Sequence, residues 1–211
     1  MFRFSALAIT PPTSLSLFMD LPDTAVGDPP AIGIATLLAN WTKGSRPDAA
    51  FNDYDTPLRK QLGYIVDQAP KNWDGAISHR PEQVQLWSDF VFMVPPFMAY
   101  YAALYQPSVN TWLLLESYNQ IKLYRNNLYD PNRGLWKHIA IGWNTDDGIW
   151  ATGNGWAAAG MLRVLVTINQ TSVGNNPEFQ VAQRDLQNWA TEIVNNVWQY
   201  QVSKPIKEKY E

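Results

Sequence analysis

The chain contains no cysteine in 211 residues and only two histidines, His79 and His138. Disulfides, thiol catalysis and Cys-ligated zinc are therefore excluded, and two imidazoles are too few for a multi-His metal site. Neither a metal nor a cofactor is expected. Charge is also sparse: 17% of residues are charged, the formal net charge is −3, and no window gathers the Lys/Arg cluster that a phosphate backbone requires. Nucleic acid is not an expected partner. No stretch reaches the roughly 18 apolar residues of a membrane span, so no membrane partner is expected either. The opening MFRFSALAITPPTSLSLF has one Arg and a short apolar run cut by Pro11-Pro12, a poor match to a secretory signal. Two sequons, Asn40-Trp-Thr42 and Asn169-Gln-Thr171, would permit glycosylation in a secretory compartment, and localisation is left open.

Aromatic residues are plentiful. Of ten tryptophans, Trp73, Trp136, Trp143, Trp150 and Trp156 fall in or beside loops, where indoles either cap a core or stack on sugar rings. Helical periodicity dominates and strand patterns are scarce, which gives an all-α class with helices near 29–42, 50–69, 88–105, 109–129, 155–169 and 177–201. The first, third and fifth are apolar almost all round, whereas the second, fourth and sixth are amphipathic. A helix apolar on every side is buried and a one-faced helix lies outside, so inner and outer layers alternate.

Each inner helix opens with a polar or Gly-containing signal: Gly27-Asp28-Pro29-Pro30, Trp87-Ser88-Asp89 and Gly153-Asn154-Gly155. Asp28 and Asp89 are 61 residues apart, and Asp89 and Asn154 are 65 apart. Such near-constant spacing is what a repeated inner-outer hairpin produces, with the loops at one end of the inner helices meeting at a common mouth. The expected domain is a toroid of (α/α) hairpins over 27–203, between an irregular segment 1–26 and a polar tail 204–211. Six hairpins of this length need about 360 residues, so the chain supplies roughly three of them, an incomplete barrel. The bare flanks of its inner helices invite self-association.

Three segments carry the chemistry: DGAISHRPEQVQLWSDFVFMVPPFMAYYA, then GLWKHI, then WATGNGWAAAGMLRVL. Their order and spacing over about residues 74–165 resemble glycoside hydrolase families 88 and 105, the unsaturated glucuronyl and rhamnogalacturonyl hydrolases of the six-hairpin glycosidase superfamily. The resemblance implies an oligosaccharide substrate with an unsaturated or acidic terminal sugar. In those families an aspartate protonates the C4=C5 double bond, water adds at C5, and the hydrated sugar collapses to an open-chain keto form. That chemistry needs a carboxyl group whose pKa is raised.

By the same resemblance the proton donor is Asp89 and the second carboxylate is Asp28. His79, Trp87, His138, Trp150, Asn154 and Trp156 are implied substrate-binding residues. Each also has a plainer reading. Asp89 can complement a helix dipole, Asp28 followed by Pro29 is an ordinary helix start, and Asn154 can cap the third inner helix. The histidines and tryptophans can simply pack, and Asp146-Asp147 reads as a turn. One departure stands out: many family members have arginine where this chain has Thr152, and threonine cannot supply the charge for a substrate carboxylate. Two readings thus remain beside the hydrolase: a catalytically inactive carbohydrate-binding remnant, and a helical interaction scaffold.

Overall fold

In the computed structural model, residues 25–42, 54–105 and 110–202 are described, and six helices follow one another in the expected order. The expectations for the N-terminal segment up to residue 24 and for the tail 204–211 lie outside the described residues. Ala25 and Val26, read as part of the irregular segment, are irregular but buried. Helix α1, Asp28–Thr42, opens with an acidic residue followed by two prolines, which tolerate the first turn because its N–H groups have no helical partner. Helix α2, Asp55–Gly63, continues as a π-helical turn, Tyr64–Gln68, and the Ala69 N–H closes it on the Tyr64 carbonyl at 2.8 Å. Helix α3 is Phe90–Leu104, α4 is Thr111–Leu128, and α6 is Pro177–Val202, again with proline at its first position.

Helix α5, Ala151–Gln170, begins four residues before the sequence expectation. Gly153, Asn154 and Gly155 look like a breaker, but they form the first turn, with the Asn154 N–H donating to the Trp150 carbonyl at 3.0 Å. Asn154 therefore does not cap the helix; Trp150 occupies that position without a side-chain cap.

Among the described residues, four two-residue strands, too short to show a period of two in the sequence, stitch the loops. Strand β1 (Leu86–Trp87) pairs antiparallel with β4 (Ile139–Ala140), Leu86 opposite Ala140 and Trp87 opposite Ile139. Strand β2 (Tyr129–Asp130) pairs with β3 (Leu135–Trp136) through a turn in which Gly134 takes φ +63°.

Helices α1, α3 and α5 lie side by side as an inner layer, and α2, α4 and α6 pack outside them as hairpin partners. The core runs between the layers, where Phe90 stacks on Tyr124 at 4.5 Å and 5°, and the Tyr124 hydroxyl donates to the Ile77 carbonyl at 2.6 Å. The chain thus builds part of an (α/α) toroid.

Helix α3 carries Pro95 and Pro96 in its interior, both buried. Neither has an N–H, so the carbonyls of Val91 and Phe92, four residues back, lose their helical partners. Helix α5 meets both. Gly160 sits so close to the Val91 carbonyl that a Cβ there would collide with it, and Arg163 Nη1 reaches the Phe92 carbonyl at 3.5 Å.

Candidate active site

Backbone hydrogen bonds bring the starts of the three inner helices to one end of the molecule. The Val26 N–H, just before α1, donates to the His79 carbonyl at 2.7 Å, and the Ser88 N–H, just before α3, donates to the His138 carbonyl at 2.9 Å. The His138 N–H in turn donates to the Gly148 carbonyl at 2.9 Å, close to the start of α5. The common mouth expected from the repeat is therefore present.

Its floor is a chain of rings. His79 stacks on Trp87 at 5.0 Å, Trp87 meets His138 edge-on at 5.5 Å, and His138 leans on Trp150 at 4.7 Å. Trp87 is fixed by its Nε1–H, which donates to the Gln85 side chain at 2.9 Å; Gln85 is held by its own N–H donating to the Ser78 hydroxyl at 3.0 Å. Four expected site residues, His79, Trp87, His138 and Trp150, are thus neighbours.

Asp89 immediately precedes α3, and its side chain makes no capping hydrogen bond. Oδ1 is buried without a partner. Burial raises the Asp89 carboxyl above its ordinary value, Asp28 adds to the rise, and backbone N–H groups and His138 oppose it. A helix start favours the charged carboxylate, but here burial outweighs it. Asp28 is near enough to act electrostatically on Asp89; its own carboxyl is raised by partial desolvation and pulled down by Arg80. The two expected carboxylates therefore share one mouth.

The histidines differ. His79 is 4% exposed, its Nδ1 has no partner, and burial lowers its pKa to about 3, so the ring is neutral. A Cβ on Gly27 would come within 2.9 Å of His79 Nδ1, which explains the glycine before Asp28. His138 is half-buried, and its Nδ1 lies 2.9 Å from Asp146 Oδ2. The carboxylate accepts, which puts the proton on Nδ1 and leaves Nε2 as an acceptor in the neutral ring. The His138 hydrogen bond, then the Gly148 N–H, hold the Asp146 carboxyl below its ordinary value.

Asp146 thus stands beside the expected site residues, although from the sequence it was read as part of a turn. The TDDG segment is a turn as expected, but Asp146 also pairs its backbone with Ile139 and orients His138, while Asp147 forms an ion pair with Lys137 at 2.7 Å. An acid eight residues after a histidine in one loop was the available signal.

Two expected residues stand apart from the ring floor. Asn154 is fully buried, and its amide is engaged with backbone: Oδ1 accepts from the Trp136 N–H at 2.8 Å, while Nδ2 donates to the carbonyls of Trp136 at 2.8 Å and Trp150 at 3.0 Å. It ties β3 to α5, and no face of it is open to a ligand. Trp156, 40% exposed, packs on Phe92 at 4.5 Å along the inner face of α3 and α5. Of the neighbouring glycines, Gly153 is needed because a Cβ would strike Ser88 Oγ, whereas Gly155 has open space and is not. Trp136 is wholly in the core, and Trp73 and Trp143 are exposed. Thr152 is exposed in the first turn of α5.

Among the described residues no group of three His, Asp or Glu side chains could hold a metal, and no helix is long and apolar enough to cross a membrane.

No curated protein matches the chain. Among solved structures, the chain is similar to a possible member of the GH105 family from Salmonella enterica, at 19% identity and TM-score 0.62 over 79% of this chain. It is similar to another possible GH105 member from Klebsiella pneumoniae, at 20% identity and TM-score 0.61 over 78% of this chain. A family 105 glycoside hydrolase from C. acetobutylicum matches at 17% identity and TM-score 0.56 over 79% of this chain. The chain spans 42%, 42% and 44% of the length of those three proteins. At these identities the likeness establishes the partial (α/α) toroid. The family rests on the sequence match to the Glycosyl Hydrolase Family 88 model over residues 34–204: the chain belongs to Glycosyl Hydrolase Family 88.

Proposed function

We propose that this mouth binds oligosaccharides ending in an unsaturated or acidic sugar, and that Asp89 protonates C4 of the C4=C5 bond while water adds at C5. The observation that carries this reading is the Asp89 carboxyl at the start of α3, buried with Oδ1 unpartnered and raised in pKa. A carboxyl in that condition holds its proton nearer to neutral pH, as a general acid must. Asp28, near enough to act on Asp89 electrostatically, serves as the second carboxylate. His138, oriented by Asp146, offers Nε2 to a sugar hydroxyl or to the incoming water, and Trp87 and Trp150 supply ring faces for stacking. His79 acts through Trp87, as the neutral, buried ring beneath it.

Asp89→Asn keeps size and removes the transferable proton. Loss of the ultraviolet absorbance of an unsaturated uronyl disaccharide is expected to slow by at least the roughly 10²–10⁴-fold that general acids contribute. Turnover at the parent rate in the Asn variant would refute the assignment.

A second reading, a carbohydrate-binding protein without turnover, is favoured by Thr152 at the expected arginine position. Binding of the disaccharide without turnover by the parent chain would select it.

A further inference from the structure

The inner face of α3 is nearly closed. Up to Ala102 only Phe92, Met93 and Tyr100 are incompletely buried. Arg163 of α5 lies along that opening. Its Nε–H donates to the Tyr100 hydroxyl at 2.9 Å, and its guanidinium carbon stands 4.4 Å from the Phe92 ring centre and 5.2 Å from that of Tyr100. With the Phe92 carbonyl, every partner is neutral. Nη2 takes no partner among the described residues and is not sealed from solvent.

The contrast with Arg125 is informative. That arginine, also partly buried, is neutralised by Glu192 at 2.7 Å, as a guanidinium removed from water ordinarily is. Arg163 has no carboxylate at ion-pair distance among the described residues. If tying α3 to α5 were its whole task, a neutral donor would meet the freed Phe92 carbonyl at lower desolvation cost.

The position suits an anion. Phe92 is three residues beyond Asp89 on the same helix face, about 4.5 Å of helix rise. Helical side chains lean toward the N-terminus, so Arg163 reaches up α5 toward the mouth, with Trp156 against the same Phe92 ring. In a 4,5-unsaturated uronate the carboxylate hangs on C5, next to the C4 that receives the proton. The Phe92 ring on which the guanidinium rests thus belongs to the helical turn just below Asp89, the proposed proton donor.

We propose that Arg163, seated on Phe92 and Tyr100 beside Trp156, binds the carboxylate of the terminal uronate, a charge that Thr152 cannot match. The inference rests on the reading of the mouth as an uronate site and specifies how that site selects acid over neutral sugar. Planar nitrogens facing outward suit a bidentate contact, and the aromatic bed fixes the fork.

The test compares an unsaturated uronyl disaccharide with its methyl ester by calorimetry, in the parent, Arg163→Gln and Arg163→Lys, with thermal melts of all three. The parent is expected to bind the acid at least tenfold more tightly than the ester, less so as salt rises. Arg163→Gln should lose that preference, and Arg163→Lys should retain part of it. Thr152→Arg should change acid affinity less than threefold, because the carboxylate is already held. Equal weakening of acid and ester in Arg163→Gln would make Arg163 a structural strut and overturn the proposal. So would a parent that binds acid and ester alike; turnover of either ligand would then leave the Asp89 assignment standing. Neither binding nor turnover of either ligand would overturn both.

Discussion

The Asp89 carboxyl and the His79 imidazole both lie where burial opposes charge, and both give pH signatures of known sign. For Asp89 the folded-state pKa is raised, so the fold favours the neutral acid. Its contribution to stability is full below the ordinary carboxyl range and is lost as pH rises through the raised value. Asp89→Asn, neutral at every pH, is therefore expected to match the parent in acid and to melt higher at pH 7; a lower Tm there would mean that the carboxylate serves the helix start. For His79 the folded-state pKa is lowered from 6.5 to about 3, burial first. Its contribution is present above pH 6.5 and is lost as pH falls toward 3, amounting to roughly 2–3 kcal/mol by pH 4.5. Denaturant unfolding at pH 7 and 4.5 should show the parent losing that much more than His79→Gln, and equal losses would contradict a neutral buried ring. Sequence identified His79 and Asp89 as mouth residues but not their environments, because burial depends on elements far along the chain. The Asp89 Oδ1 is buried without a partner, and His79 is enclosed by Gly27, Trp87 and Phe90, brought together by the Val26–His79 and His79–Gln85 backbone hydrogen bonds and the β1–β4 pairing.

Helix α5 is seated against the rest of the fold by two small features, one meeting α3 and one meeting β3. Gly160 admits the Val91 carbonyl freed by Pro95, and Asn154 holds the Trp136 backbone against the first turn of α5. Gly160→Ala forces a methyl into a backbone oxygen and is expected to destabilise by about 1–3 kcal/mol, although alanine is the better helix former. Denaturant midpoints check this, and a stabilised Ala variant would show that the two helices are not in close contact. Helix existence and the alternation of layers were legible because apolar period and one-sided polarity are local properties. The start of α5 was not: Gly153-Asn154-Gly155 is a breaker by propensity, and the tie between Asn154 and Trp136, 18 residues away, that supports the helical turn is not a local property. The Asp146–His138 pair escaped notice for the converse reason, since TDDG is fully explained as a turn until the Ile139–Asp146 bridge turns one of its acids toward the imidazole.

At the scale of the molecule, the partial toroid leaves inner-layer side chains bare. Ile32, Leu38 and Trp41 on α1 and Leu162 and Val166 on α5 are exposed, with Trp41 at 69%. Charge does little to keep such faces apart, because the net charge is only −3 on 24.0 kDa. Apolar area removed from water is worth about 25 cal/mol per Å², and contiguous apolar faces on a soluble chain drive association. The chain at neutral pH is therefore expected to self-associate through these flanks. Sedimentation velocity over a hundredfold concentration range should show a weight-average mass that rises above 24.0 kDa. Leu162→Gln combined with Val166→Gln replaces exposed apolar side chains with polar ones of similar length, so it should shift the distribution toward monomer with little change in melting temperature. High salt should strengthen association in the parent, because it weakens charge repulsion while leaving apolar contact intact. A single 24.0 kDa species at every concentration would show that the exposed side chains are too scattered to form an interface, and the flanks would then be ordinary surface.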